Sequence, residues 1–148
     1  MKKFPPIEKI MEAYTAIGDH HVKMFENYAL VTSSNNAKTY TVKWHDGIYQ
    51  ANDNATYWQG YAGYPIIAVL LLQNKLPFDE ALAKAFAGIN WHELNEKFKR
   101  NYTEAAKFIF KEKKLDENTI LTKIDQCYAI LKELPLTIKR TTTKVIKN

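Results

Sequence analysis

The chain holds one cysteine, Cys127, which rules out an internal disulfide and leaves non-covalent packing to hold it together. Its five glycines fall into neither GxGxxG nor GxxxxGK[ST], so neither common phosphate-cradling loop is present. HExxH, paired CxxC and EF-hand spacings are also missing, and neither a metal site nor a cofactor is expected. The longest apolar run, residues 64–72, falls short of the ~20 residues a membrane-crossing helix needs. No apolar stretch follows Lys2 and Lys3, so a secretory leader is not expected either. With a lone thiol, the expected compartment is the cytoplasm.

Acidic residues are missing after position 137, where Lys139, Arg140, Lys144 and Lys147 supply most of the net charge of +5. The rest is nearly balanced, so the large basic face of a dedicated nucleic-acid binder is not expected. These counts divide the chain into one globular domain, residues 1–137, and a basic C-terminal tail, residues 138–148. With 46% hydrophobic residues over 148, the domain has enough apolar material to offset the entropy of ordering its backbone.

Ile7, Ile10, Met11, Tyr14 and Ile17 recur at helical spacing, which predicts a helix over residues 6–17 ending at Gly18. Val22, Met24, Tyr28 and Leu30 alternate as one strand; residues 39–44 alternate as a second. Asp46-Gly47 is a two-residue hairpin turn, and it sets Trp44 against Tyr49 and Val42 against Ala51. This is a three-stranded antiparallel meander. Residues 66–72, apolar on every side, predict a central buried helix. A short helix follows over residues 79–87. Asn90 with Glu93 resembles a helix cap and opens a long helix to about Lys113. The last helix begins at Asp116, turns Ile120, Ile124, Cys127 and Leu131 inward, and ends at Pro135. The fold class is therefore α+β: an N-terminal helix, the meander, then four mostly antiparallel packed helices, one of them buried and apolar. The tail alternates β-branched and basic residues and can add a strand to the meander.

Segment 44–64, which opens on Trp44 and closes on Tyr64, is the densest mixture of polar and aromatic side chains. Trp44, His45, Asp46, Tyr49, Asn52, Asp53, Tyr57 and Trp58 are its candidate ligand-binding residues, because pockets combine flat apolar walls with a few orienting polar groups. The favoured reading is a non-catalytic module that binds a small polar or planar molecule, or another protein subunit, through this segment. The competing reading is a small enzyme in which His45, Asp46, Asp53 and His92 converge. A third is weak nucleic-acid binding through Lys139, Arg140, Lys144 and Lys147, although neither nucleic acid nor a membrane is the expected partner. His20 and His21 are chain neighbours that a strand would point to opposite faces. Cys127 lies on an inward stripe and reads as core. The carboxylate pairs Asp79-Glu80 and Asp116-Glu117 sit in first helical turns, where the helix dipole accounts for them.

Overall fold

The computed structural model describes residues 3–148. It is an α+β fold with a sheet of six strands, whose main path runs β1-β2-β3-β4-β5. Helix α1 (Lys9–Gly18) leads into β1 (Val22–Met24), β2 (Tyr28–Thr32), β3 (Lys38–His45) and β4 (Ile48–Ala51), all antiparallel in sequence order. A π-helical turn (Ala55–Gln59) precedes α2 (Tyr64–Leu72), α3 (Glu80–Ala85), α4 (Trp91–Lys97), α5 (Tyr102–Glu112) and α6 (Glu117–Glu133). The chain then returns to the sheet as β5 (Thr137–Arg140), parallel to β4, and β6 (Ile146–Lys147), antiparallel to β3. No helix of the described residues is long and apolar enough to cross a membrane.

The Asp46-Gly47 turn forms as its chemistry requires. Both residues have positive φ, 49° and 76°, and the register pairs Trp44 with Tyr49 and Val42 with Ala51. The two rings stack with centroids 6.3 Å apart. Helix α2 is buried from Pro65 to Leu71 and is a centre of the core, as an all-round apolar helix must be. Helix α1 is nearly as enclosed: every residue from Ile10 to Ala16 is buried, the acidic Glu12 among them. The caps of the later helices are polar side chains: Asp79 accepts from Ala81 N, Asn90 from Glu93 N and Asp116 from Thr119 N. Cys127 is buried, and burial pushes its thiol up to about 11, the behaviour of an unreactive core residue.

Two elements differ from the expectation. The first strand is a hairpin of two: Phe25 N donates to Tyr28 O, and the Phe25 and Tyr28 rings stack at 4.6 Å. This turn shifts the alternation by one residue. Val22 pairs with Val31 and Met24 with Ala29, so Ala29 and Val31 face the core where Tyr28 and Leu30 were expected to. The long helix is likewise two. Lys99 and Arg100 adopt left-handed φ of 53° and 63°, and Asn101 caps the new helix α5 by accepting from Glu104 N. Left-handed backbone at two successive residues cannot continue a right-handed helix.

The basic stretch beyond residue 137 is part of the sheet. β5 covers the free side of β4, and β6 lies on β3 in line with β4. Between β4 and β6, the buried Asn52 side chain bridges the gap, accepting from Thr41 N at 2.9 Å and donating to Thr143 O at 2.8 Å.

Candidate functional site

The residues singled out in segment 44–64 separate in space. His45 and Asp46 form an exposed pair, 3.0 Å apart, at the tip of the β3–β4 hairpin. Trp44 and Tyr49 face the core, where the Tyr49 hydroxyl donates to Gln73 Oε1 at 2.6 Å. Asn52 is taken up by the sheet. Asp53 is sealed inside: its Oδ2 accepts from Thr56 N at 3.1 Å, and a Cβ on Gly63 would meet that oxygen at 2.0 Å, so only glycine fits there. Tyr57 carries the Arg140 guanidinium over its ring at 4.7 Å, with Trp58 edge-on at 4.8 Å. Trp58 itself is 71% exposed. Of the four residues of the enzyme reading, His92 alone lines a cleft; His45, Asp46 and Asp53 line none of the three clefts described below. In the basic stretch, Lys139 and Arg140 are strand neighbours and so point to opposite sheet faces, while Lys144 and Lys147 lie further along the returning chain.

Three clefts lie around residues 54–60, the π-helical turn and its two flanking residues. An apolar groove of about 560 Å³ lies between the start of the chain and the end of α6, lined by Phe4, Leu131, Leu134 and Leu136. On the other side are two polar lobes. The first, about 230 Å³, is lined by Glu12 of α1, Lys38 and Tyr40 of β3, Tyr64 and Trp91. The second, about 510 Å³, is lined by Lys9, Trp58, Tyr61, Arg100 and Tyr102. Asn54, His92 and Asn95 line both lobes, which adjoin as two parts of a cleft between α1, the β2–β3 turn and α4.

The charges below this cleft are compensated internally. Lys9 Nζ lies 2.9 Å from Glu12 Oε2 and 4.9 Å from the centre of the Tyr102 ring. Burial opposes the Lys9 charge, yet the Glu12 carboxylate beside it holds the ammonium pKa above its ordinary value. Asn95 Nδ2 donates to Glu12 Oε1 at 3.3 Å, while Asn95 Oδ1 and Asp53 Oδ1 are buried with no hydrogen-bond partner among the described residues. On the rim, His92 Nε2 lies 3.3 Å from Glu96 Oε1.

Two tyrosines form the surface above. Tyr40 and Tyr64 meet edge to face, 6.4 Å between centroids. Neither hydroxyl has a hydrogen-bond partner among the described residues, and neither is sealed from solvent. Burial raises both phenol pKa values, Tyr64 well above its ordinary value, and nearby Asp53 and Glu12 raise them further. Both phenols therefore stay protonated and present O–H donors to the cleft. Sequence reasoning reached Asp53, Tyr64, His92 and Trp58 but not Lys9, Glu12, Tyr40, Asn95 or Arg100. The available signal was Lys9 and Glu12, a charged pair three residues apart on a helix whose Ile10, Met11 and Tyr14 are core.

Asp53 gives a test of this electrostatic arrangement. Burial, acting against the hydrogen bond from Thr56 N, raises its carboxyl pKa above the usual range. The folded protein thus keeps a proton that the unfolded chain releases above about pH 3.9. Stability then falls as pH rises from that value through the folded pKa. Asp53→Asn keeps an acceptor for Thr56 N and has no proton to lose. Urea unfolding at pH 4 and pH 7 should show a smaller loss of stability in the variant than in the parent. Identical pH slopes would sink this reading of Asp53.

No curated protein and no solved structure matches the chain. The chain belongs to the family described as Uncharacterised conserved protein UCP014422, whose model matches residues 2–137, a span that contains every residue named here as lining the two polar lobes.

Proposed function

We propose that the protein is a non-catalytic binding module that takes one small polar molecule in the cleft between α1, the β2–β3 turn and α4. Segment 44–64 contributes Asn54, Trp58, Tyr61 and Tyr64 to it, while its hairpin end lies elsewhere. The observation that carries the reading is the pair of unpartnered hydroxyls of Tyr40 and Tyr64 inside a concave, aromatic-walled lobe. Half-buried polar groups find partners inside the protein unless water or a guest supplies them. A guest fits where flat walls and a few converging polar groups coincide. The buried thiol and the absence of any disulfide suit a reducing, cytoplasmic setting.

The test is a thermal-shift screen of metabolites on the protein and on the double variant Tyr40→Phe/Tyr64→Phe. The hydroxyls bond to no other described residue, so the variant should melt within a few degrees of the parent. A ligand present at a hundred times its Kd should stabilise the parent by about 2.7 kcal/mol. Loss of two hydroxyl contacts, about 1 kcal/mol each, should weaken its binding at least tenfold in the variant. A screen with no stabilising compound, or a hit that binds the variant equally well, would refute the proposal.

A further inference from the structure

We infer that the ligand of this cleft is an anion, a small organic acid or a phosphate ester, recognised by Lys38 in the first lobe or Arg100 in the second. The inference rests on the binding reading above and adds the chemical class. It follows from which polar groups a guest can reach and from how the charges cancel.

Three acceptors beside the cleft are withdrawn: Asn95 Oδ1, Asp53 Oδ1 and Glu12 Oε2 are sealed from solvent, the last facing Lys9. The Tyr40 and Tyr64 hydroxyls stay protonated because burial and two neighbouring carboxyl groups oppose their ionisation, so each offers a donor that an anionic guest can meet. The charge count agrees. Glu12 is matched by Lys9, and the acids Glu12 and Glu96 face three lining cations, Lys9, Lys38 and Arg100, which leaves one positive charge in excess. Lys38 lines the first lobe and Arg100 the second, and neither has an ion-pair partner among the described residues. Each of the two adjoining lobes thus carries a cation without an ion-pair partner among the described residues, with two phenol donors in the first and the exposed Trp58 ring in the second. A charge-assisted hydrogen bond from a lysine or arginine to a carboxylate or phosphate is among the strongest a surface site can form.

Four probes decide the class: succinate, glucose 6-phosphate, uncharged glucose and the dication putrescine. Each is titrated at millimolar concentration against the full-length protein, with Trp fluorescence and melting temperature as readouts. Trp91 and Trp58 line the two lobes and report occupancy of either. Saturable binding of succinate or glucose 6-phosphate is expected, weakening about tenfold in Lys38→Gln or Arg100→Gln and falling as sodium chloride is raised. Whichever of the two binds identifies a carboxylate or a phosphate as the group recognised. Both substitutions replace partnerless, solvent-accessible cations, so the variants should unfold at the parent's urea midpoint. Binding of glucose or putrescine alone would overturn the anion inference and leave the cleft as a binding site. Silence of all four probes would overturn it as well. The separate reading of the cleft is then decided by the wider screen with the tyrosine double variant.

Discussion

Gly18→Ala is expected to destabilise the protein by about 3 kcal/mol, the upper end of what overpacking costs. Gly18 is the last residue of α1, and a Cβ there would sit 2.1 Å from the carbonyl oxygen of Ala83 and 3.2 Å from the Ala87 Cβ. The nearest obstacle is backbone, so no rotamer change relieves it; α3 must move away from α1. Intrinsic helix propensity pulls the other way, favouring alanine over glycine by at most about 1 kcal/mol. The steric term wins because the overlap is more than an ångström inside normal contact distance. Moving α3 also strains a buried relay that ties three segments together. Thr15 Oγ1 donates to Phe86 O at 2.7 Å and accepts from the Trp91 indole N–H at 2.8 Å. Urea unfolding should show a lower midpoint at an unchanged slope, with the Trp91 emission shifted to the red as its indole loses that partner. An unchanged or raised midpoint would show that α1 and α3 are not packed as closely as described.

The relay also shows how far sequence patterns reach. Local chemistry was legible wherever one residue type has one strong preference. Asp46-Gly47 fixed a hairpin and its register, the polar caps marked helix starts, and an apolar run placed α2 in the core. Periodicity misled where a turn keeps a pattern going across a break. Val22 to Leu30 alternates with Glu26 as its one polar exception, and the tight turn at Phe25–Tyr28 reverses which residues face inward. The helix break at Lys99 and Arg100 had a local mark in Asn101 and Glu104, which repeat the spacing of Asn90 and Glu93. The hydrophobic stripe running from Trp91 to Ile109 outweighed it. The cleft was the least legible part. Its residues come from α1, β3, the π-helical turn and α4, and no spacing within one segment encodes their meeting. Glu12 was not reached, because the pattern of α1 does not show that its polar side meets Asn95 of α4.

Asn52 separates a structural role from a ligand-binding one, and Asn52→Ala is expected to cost about 3 kcal/mol. Its side chain replaces a missing stretch of strand. β4 ends at Ala51, and β6 first pairs with β3 at Thr39, which leaves Thr41 N without a backbone partner on that side. The Asn52 amide fills the position: its oxygen accepts from Thr41 N and its nitrogen donates to Thr143 O, so one side chain joins β3 to the returning C-terminal segment. An alanine leaves a donor and an acceptor unsatisfied in a buried site, at about 1–3 kcal/mol each, with partial recovery where water enters. The loss is local before it is global. Thr143, β6 and Asn148, whose N–H donates to Ala37 O, should lose amide-exchange protection first. Asn52→Asp keeps the acceptor but turns a carboxylate towards the Thr143 carbonyl, so its stability should recover as acid protonates the new side chain. Had Asn52 been a ligand contact, Asn52→Ala would leave the urea midpoint in place and weaken binding instead. A midpoint drop with protection lost at residues 143–148 is the result the bridge requires, because it ties Thr143 to β3 ahead of the short pairing of β6 and the Asn148 hydrogen bonds to Asn36, Ala37 and Thr39.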